Sequence, residues 1–165
     1  MPIPIPVPEL IAIELHTRLS AITKLNGYTF DAREVIRPTR RGENWTYDHD
    51  GIGILQGTSE RFPELDCPGN PPAIAYRLNF NVLCISRDSM NLTHAHATHE
   101  NVLAAAAVRA ITNADQWHTF DDNAVDSAFG SMEPIDSSDG EFDGVSIPLL
   151  ITYRVSENNP FEVRA

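Results

Sequence analysis

Residues 73–85, Ala-Ile-Ala-Tyr-Arg-Leu-Asn-Phe-Asn-Val-Leu-Cys-Ile, decide the fold. Ile74, Tyr76, Leu78, Phe80, Val82 and Cys84 share one parity, and Arg77, Asn79 and Asn81 share the other. A period of two puts the first set on one face of a strand and the second on the opposite face. Each large apolar side chain fully buried on such a face contributes about 1.5–3 kcal/mol, so this segment predicts a long, half-buried strand at the centre of the core. Gly144–Ser156 repeats the pattern through Val145, Ile147, Leu149, Ile151, Tyr153 and Val155 and is the expected partner. Pro148 lies on the other parity and has no amide donor, which predicts an edge position or a bulge.

Working outward from this pair, an alanine-rich segment at Thr93–Asn113 predicts a helix. His99, Leu103, Ala106 and Ala110 fall on one face, and the small residues allow close approach to a sheet. Trp117 and Phe120 follow, then Ala124–Ala128 as a short strand. Upstream, Ile11, Leu15, Leu19, Ile22 and Leu25 recur at the helical period, with Pro8 suited to a first turn and Leu25-Asn26-Gly27 to a stop. Ile13 lies about 200° from Ile11 around that helix, which predicts an exposed side chain and a candidate subunit contact. Glu34-Val35-Ile36-Arg37 predicts a short strand stopped by Pro38, Trp45–Gly57 a hairpin-like segment around Ile52, Ile54 and Leu55, and Ser59–Pro72 a loop.

The expected order is helix, two or three strands, helix, two strands. The fold class is therefore α+β, a mainly antiparallel β-sheet with two α-helices packed on one face. Residues 1–7 read as an extended Pro-rich arm and residues 8–165 as a single α+β domain. In the arm, prolines at positions 2, 4, 6 and 8 fix φ and remove every second amide donor, while Ile3, Ile5 and Val7 alternate with them. The segment reads either as a frayed terminus or as an arm whose three β-branched side chains are candidates for contact with a neighbouring subunit.

The chain has 165 residues, room for one core, and a net charge of −11. Residues 1–82 carry net −2 and residues 83–165 net −9. Between Asp121 and Asp143 there are eight carboxylates and no Lys or Arg. Such a balance disfavours nonspecific binding of nucleic acid through phosphate neutralisation, and like charges this dense favour a solvated stretch. Arg37, Arg40 and Arg41 form the basic cluster, a place where an acidic surface can dock. The two cysteines, Cys67 and Cys84, are too few for a disulfide-stapled scaffold and fit a reducing compartment. The start lacks the basic and continuous apolar regions of a secretory signal, and no apolar run reaches the 18 or so residues that span a bilayer, so no membrane association is expected.

Chemical motifs are sparse. His94, His96 and His99 are three imidazoles within six residues, but the i,i+2 spacing of the first two does not converge on one ion along a helix. They read as polar residues at a helix start, and a metal-dependent enzyme built on them is the alternative. Asp139-Gly140-Glu141-Phe142-Asp143-Gly144 resembles the front of a calcium loop, yet Leu150 stands where the closing Glu belongs. Asp48-His49-Asp50 has no companion motif and reads as a turn. No phosphate-binding loop, nucleophile elbow, Cys-x-x-Cys pair or dinucleotide fingerprint occurs. Neither a cofactor nor an enzymatic activity is expected.

The linear order resembles the bacteriophage tail terminator family of long-tailed phages. It does so through Leu10-Ile11-Ala12-Ile13 to Leu25-Asn26-Gly27-Tyr28, then Glu34-Val35-Ile36-Arg37, the strand Leu78-Asn79-Phe80-Asn81-Val82, the Ala-rich helix, and Leu149-Leu150-Ile151-Thr152-Tyr153-Arg154. The likeness covers most of the chain and rests on order and spacing. It implies a virion protein of the tail or neck, assembled in the host bacterial cytoplasm as a homo-oligomeric ring, typically a hexamer. Its implied partners are the tail tube protein below and the head–tail connector above, with DNA passing through without specific binding. Such a ring ends tube polymerisation and needs no catalytic residue. Another neck or head-completion protein is the nearest alternative. Carboxylates facing a channel repel phosphates, which makes Asp136, Asp139, Glu141 and Asp143 candidates for a lumen or rim.

Overall fold

The computed structural model describes residues 4–29, 31–32, 34–37, 51–86, 96–113, 117–136 and 143–164, without the side chains of 96–99, 136 and 143. Two helices and seven strands occur among them: α1 (Val7–Ser20), β1 (Val35–Ile36), β2 (Gly51–Arg61), β3 (Ala73–Ser86), α2 (His96–Thr112), β4 (Asp126–Phe129), β5 (Glu133–Asp136), β6 (Asp143–Ser156) and β7 (Asn159–Val163). The strands form one mixed, mostly antiparallel sheet in the order β1-β2-β3-β6-β4, with β5 and β7 also paired to β6. The fold is α+β, as the period-two runs require.

The two deciding runs pair antiparallel along their whole length, from Ala73↔Ser156 to Ser86↔Asp143. Leu78, Phe80, Val82 and Cys84 of β3 and Val145, Ile147, Leu149, Ile151, Tyr153 and Val155 of β6 share one core with both helices. Into this face α1 inserts Ile11, Leu15 and Leu19, and α2 inserts Leu103, Ala106, Ala107, Ala110 and Ile111. The alanines let α2 lie close over β3 and β6.

Several expectations are corrected by packing. Val7 belongs to α1 and is fully buried, not part of an exposed arm, because the helix begins one residue earlier and points Val7 into the core. The helix ends at Ser20; Leu25 sits in a separate short turn, Lys24–Asn26, and is 97% exposed. Gly27 still ends that turn at φ +80°, a conformation that favours glycine. Gly51–Arg61 is one continuous strand that runs past the expected end at Gly57 and absorbs the first residues of the expected Ser59–Pro72 loop. Residues 45–50 lie outside the described residues. Four strands follow α2 instead of two, since β4, β5 and β7 align in turn along one side of β6.

Pro148 occupies an interior strand, and the neighbouring strand accommodates it. The register shifts by one residue between Phe129↔Leu149 and Glu133↔Ser146, which interrupts β4–β5 opposite the proline. Gly130 N–H donates to the Pro148 carbonyl at 2.8 Å, so the missing amide of Pro148 also points at the interruption.

Candidate assembly surfaces

Beyond Gly53, β2 loses its β1 partner, because β1 pairs only at Ile52 and Gly53. From Leu55 to Arg61 every residue is exposed, on both faces of the strand. A one-residue bulge falls between Gln56 and Ser59. Gly57 lies within it, where a Cβ would come 3.2 Å from the Asn79 carbonyl oxygen, a tight approach. Ile52 N–H donates outward to Glu34 O at 2.9 Å, which sets the backbone of Ile52, Ile54 and Gln56 toward the outer edge. The bulge then shifts the outward set to Ser59 and Arg61, in keeping with the inward bond from Phe62 N–H to Ala75 O at 3.0 Å. This half-strand was not distinguishable in the sequence, where Gly57-Thr58-Ser59 resembles turn chemistry.

The opposite edge of the sheet is split among the short strands β4, β5 and β7, and it is blunted at β4 and β5. Ser127, which faces outward from β4, is held by the His118 loop: the imidazole Nδ1 donates to the Ser127 carbonyl at 3.2 Å, and Ser127 Oγ donates to His118 O at 2.8 Å. On β5 the outward position Pro134 offers no donor. Among the described residues, β2 keeps the longest uninterrupted run of exposed edge strand.

Ile13 and Ile5 are each 45% exposed, on α1 and just before it. Arg37 is drawn inward: its guanidinium donates to both carboxylate oxygens of Glu9, at 2.6 and 2.7 Å, and to Gln56 Oε1 at 2.8 Å. The bidentate bond to Arg37 holds the Glu9 carboxyl below its ordinary range, against the opposing effect of burial. Arg37 thereby ties the first turn of α1 to the start of the exposed half of β2, a role its place in a basic cluster did not reveal. Ile3, Arg40, Arg41, Asp139, Glu141 and His94 lie outside the described residues, and His96 and His99 are described in backbone only. Asp136 and Asp143 are register partners at the end of the β5–β6 ladder.

At the far end of β2, Arg61 makes a bidentate contact with Asp66 whose Nη2–Oδ2 bond is 2.6 Å, and Ala75 N–H donates to Asp66 Oδ1 at 2.8 Å. These bonds hold the Asp66 carboxyl below its ordinary range. Ser59 and Tyr153 share a 2.8 Å hydroxyl bond, and Tyr153 stacks on Tyr76 at 5.6 Å. Burial raises the Tyr153 phenol and the Ser59 bond partly offsets it. The exposed half-strand is therefore a firmly held platform.

Two other features are structural in geometry. Arg18, with a side chain 5% exposed, donates to Glu14 at 2.7 Å, to Ile111 O at 3.2 Å and to Trp117 O at 3.4 Å, and lies 4.5 Å from the Phe120 ring centroid. It joins α1 to the C-terminal end of α2 and to the turn beyond. That turn holds three successive residues at positive φ, Phe120 at 46°, Asp121 at 55° and Asp122 at 64°. Beside it, Thr119, Asp122, Ala124, Val125, Val163 and Arg164 line an open cleft of about 620 Å³. Among the described residues, no group of three His, Cys, Asp or Glu side chains is placed to share a metal ion. No described helix is long and apolar enough to cross a membrane. Comparison with protein-family models gives no match, and comparison with curated proteins likewise gives none.

Proposed function

We propose that this protein is a structural subunit of a long-tailed bacteriophage, which assembles into a ring on the end of the tail tube, stops its growth and presents a joining surface to the head connector. The observation that carries the reading is the uneven sheet: both helices cover one face, one edge is split into the short strands β4, β5 and β7, and the other edge exposes seven consecutive residues of β2. Unpaired strand of this kind is normally blunted in a free-standing monomer, so a subunit that keeps it is suited to a neighbour. The segments behind the resemblance supply the scaffold, as α1, β1, the middle of β3, α2 and β6.

Charge supports the same reading. Asp136 and Asp143 are register partners at the end of the β5–β6 ladder, in a half of the chain that carries net −9. In a ring, carboxylates of the 136–143 segment facing the channel let DNA pass without adhesion. The subunit then acts by shape and charge, in the tail or neck of the virion, with no chemical step and no cofactor.

The test is addition of the purified chain to polymerising tail tubes. Rings seated on tube ends in negative-stain images, with a narrowed length distribution, are expected. Tubes that lengthen as before and carry no cap would refute the proposal. Neutralising Asp136, Asp139, Glu141 and Asp143 together is expected to alter head joining or DNA passage, and an unchanged yield of infectious particles would remove the channel role.

A further inference from the structure

The open edge of β2 and the alternating prolines before α1 fit one another. In an extended strand the backbone groups of residues i and i+2 point to the same edge, and those of i+1 to the other. Prolines at 2, 4 and 6 strip the donors from one edge, while Ile3 and Ile5 keep N–H and C=O groups on the opposite edge. Such a segment can join a sheet on one side only, and it cannot serve as a template for the next strand. On β2 the outward residues Ser59 and Arg61 are also two positions apart, the same spacing as Ile3 and Ile5.

We propose that the Pro2–Pro6 arm of one copy pairs as an added strand along the outer edge of β2, at Gln56–Arg61, of a second copy. Among the described residues of one chain this contact is not made: Pro4, Ile5 and Pro6 are exposed, and no hydrogen bond joins Ile5 to β2. The chain also enters α1 without turn residues, since Pro6 O already accepts from Glu9 N–H at 2.9 Å and Leu10 N–H at 3.1 Å. Pro6 itself is extended, at φ −62° and ψ 147°. The Arg37 bridge holds the first turn of α1, and with it the root of the arm, beside Gln56 at the start of the exposed half of β2. Paired opposite Ser59 and Arg61, Ile3 and Ile5 place their side chains on the sheet face that carries Tyr76 and Tyr153, where Tyr76 is half-buried. An arm-to-edge contact is heterologous and propagates until it closes, which is how rings form.

This inference deepens the ring reading and rests on it only for the fate of the assembly; the contact itself is tested on the purified chain. Sedimentation analysis is expected to show self-association of the parent protein. Ile3→Pro with Ile5→Pro, which removes the last donors of the arm, is expected to weaken it about tenfold or more with the melting temperature of the monomer unchanged. Ser59→Pro, which removes an outward amide together with the hydroxyl bonded to Tyr153, is expected to act in the same direction, and Ser59→Ala, which removes the hydroxyl alone, is expected to leave association unchanged. In a Cys67→Ser background, Ile5→Cys and Ser59→Cys chains of different isotopic mass are mixed and oxidised, and a disulfide between heavy and light chains is expected. A monomer at every concentration, association untouched by the two prolines, or bridging confined to single chains of a doubly substituted protein would each overturn the contact. Association through the arm without any capping of tubes would leave the contact standing and remove the tail function.

Discussion

Removal of the Arg18 guanidinium separates what this buried charge stabilises from what it costs. Its side chain is 5% exposed and bonds to Glu14, Ile111 O and Trp117 O. The two carbonyl contacts, at 3.2 and 3.4 Å, are long for a charged donor, so together they contribute about 1–3 kcal/mol. The Phe120 ring at 4.5 Å adds about 1 kcal/mol. Against these stands the desolvation of a buried cation, whose Nη2 has no hydrogen-bond partner and only the exposed Asp121 carboxylate at 3.6 Å to offset its charge. Arg18→Met keeps most of the stem, relieves that burden, and is expected to lose about 1–2 kcal/mol. Arg18→Ala also leaves a cavity and is expected to lose about 3–4 kcal/mol, or roughly 6–15 °C in melting temperature for a chain of this size. Urea denaturation followed by far-UV circular dichroism gives the stability, and near-UV signals report the packing around Trp117. If Arg18→Met were as stable as the parent or more so, the idea that Arg18 fastens α1 to the end of α2 would be refuted.

Two further outcomes follow from the ionisable groups. Arg37 holds the folded-state pKa of Glu9 below its ordinary value, so the pair contributes stability above the unfolded glutamate range near pH 4.5 and loses it as pH falls through the lower folded value. The Glu9 side chain is 42% exposed, which with solvent screening limits the effect to about 0.5–1 kcal/mol. Glu9→Gln should therefore lower the urea midpoint at pH 7 and leave it nearly unchanged at pH 3, and an equal loss at both would contradict the assignment. Burial pushes the Cys84 thiol up to about 12, whereas Cys67 is half-buried in a loop. A thiol reagent at pH 8 should modify one cysteine of the native protein rapidly and the second only after unfolding. Rapid modification of both would show that β3 is not sealed at Cys84.

The parts of the fold legible in the sequence are those with a strong period. Leu78-Asn79-Phe80-Asn81-Val82 and Val145–Val155 alternate over many residues, and one buried face fixes such strands because a slip of one residue would turn every side chain to the wrong side. The helices were equally plain where their apolar faces were long, and less so at their ends, where Val7 and Leu25 exchanged the environments their spacing suggested. The β4–β5 interruption was signalled by Pro148 but not located, because a missing donor says nothing about which neighbour yields. The candidate surface was legible only in its composition: the alternating prolines, the excess of carboxylates, and an exposed Ile13.

What the sequence alone determined is the α+β class, the central antiparallel pair and the concentration of negative charge in the second half, since periodicity and composition are local properties. Tertiary structure decided which groups are already satisfied. Arg37 could be read as a free cation until Glu9 and Gln56 were brought to it, and Arg18 carried no signal until α2 ended against it. It also decided which edge of the sheet stays open, because that depends on where β1 stops, where His118 folds over Ser127 and where the Gly57 bulge turns the backbone. Those are contacts between residues distant in the chain, and no local pattern specifies them.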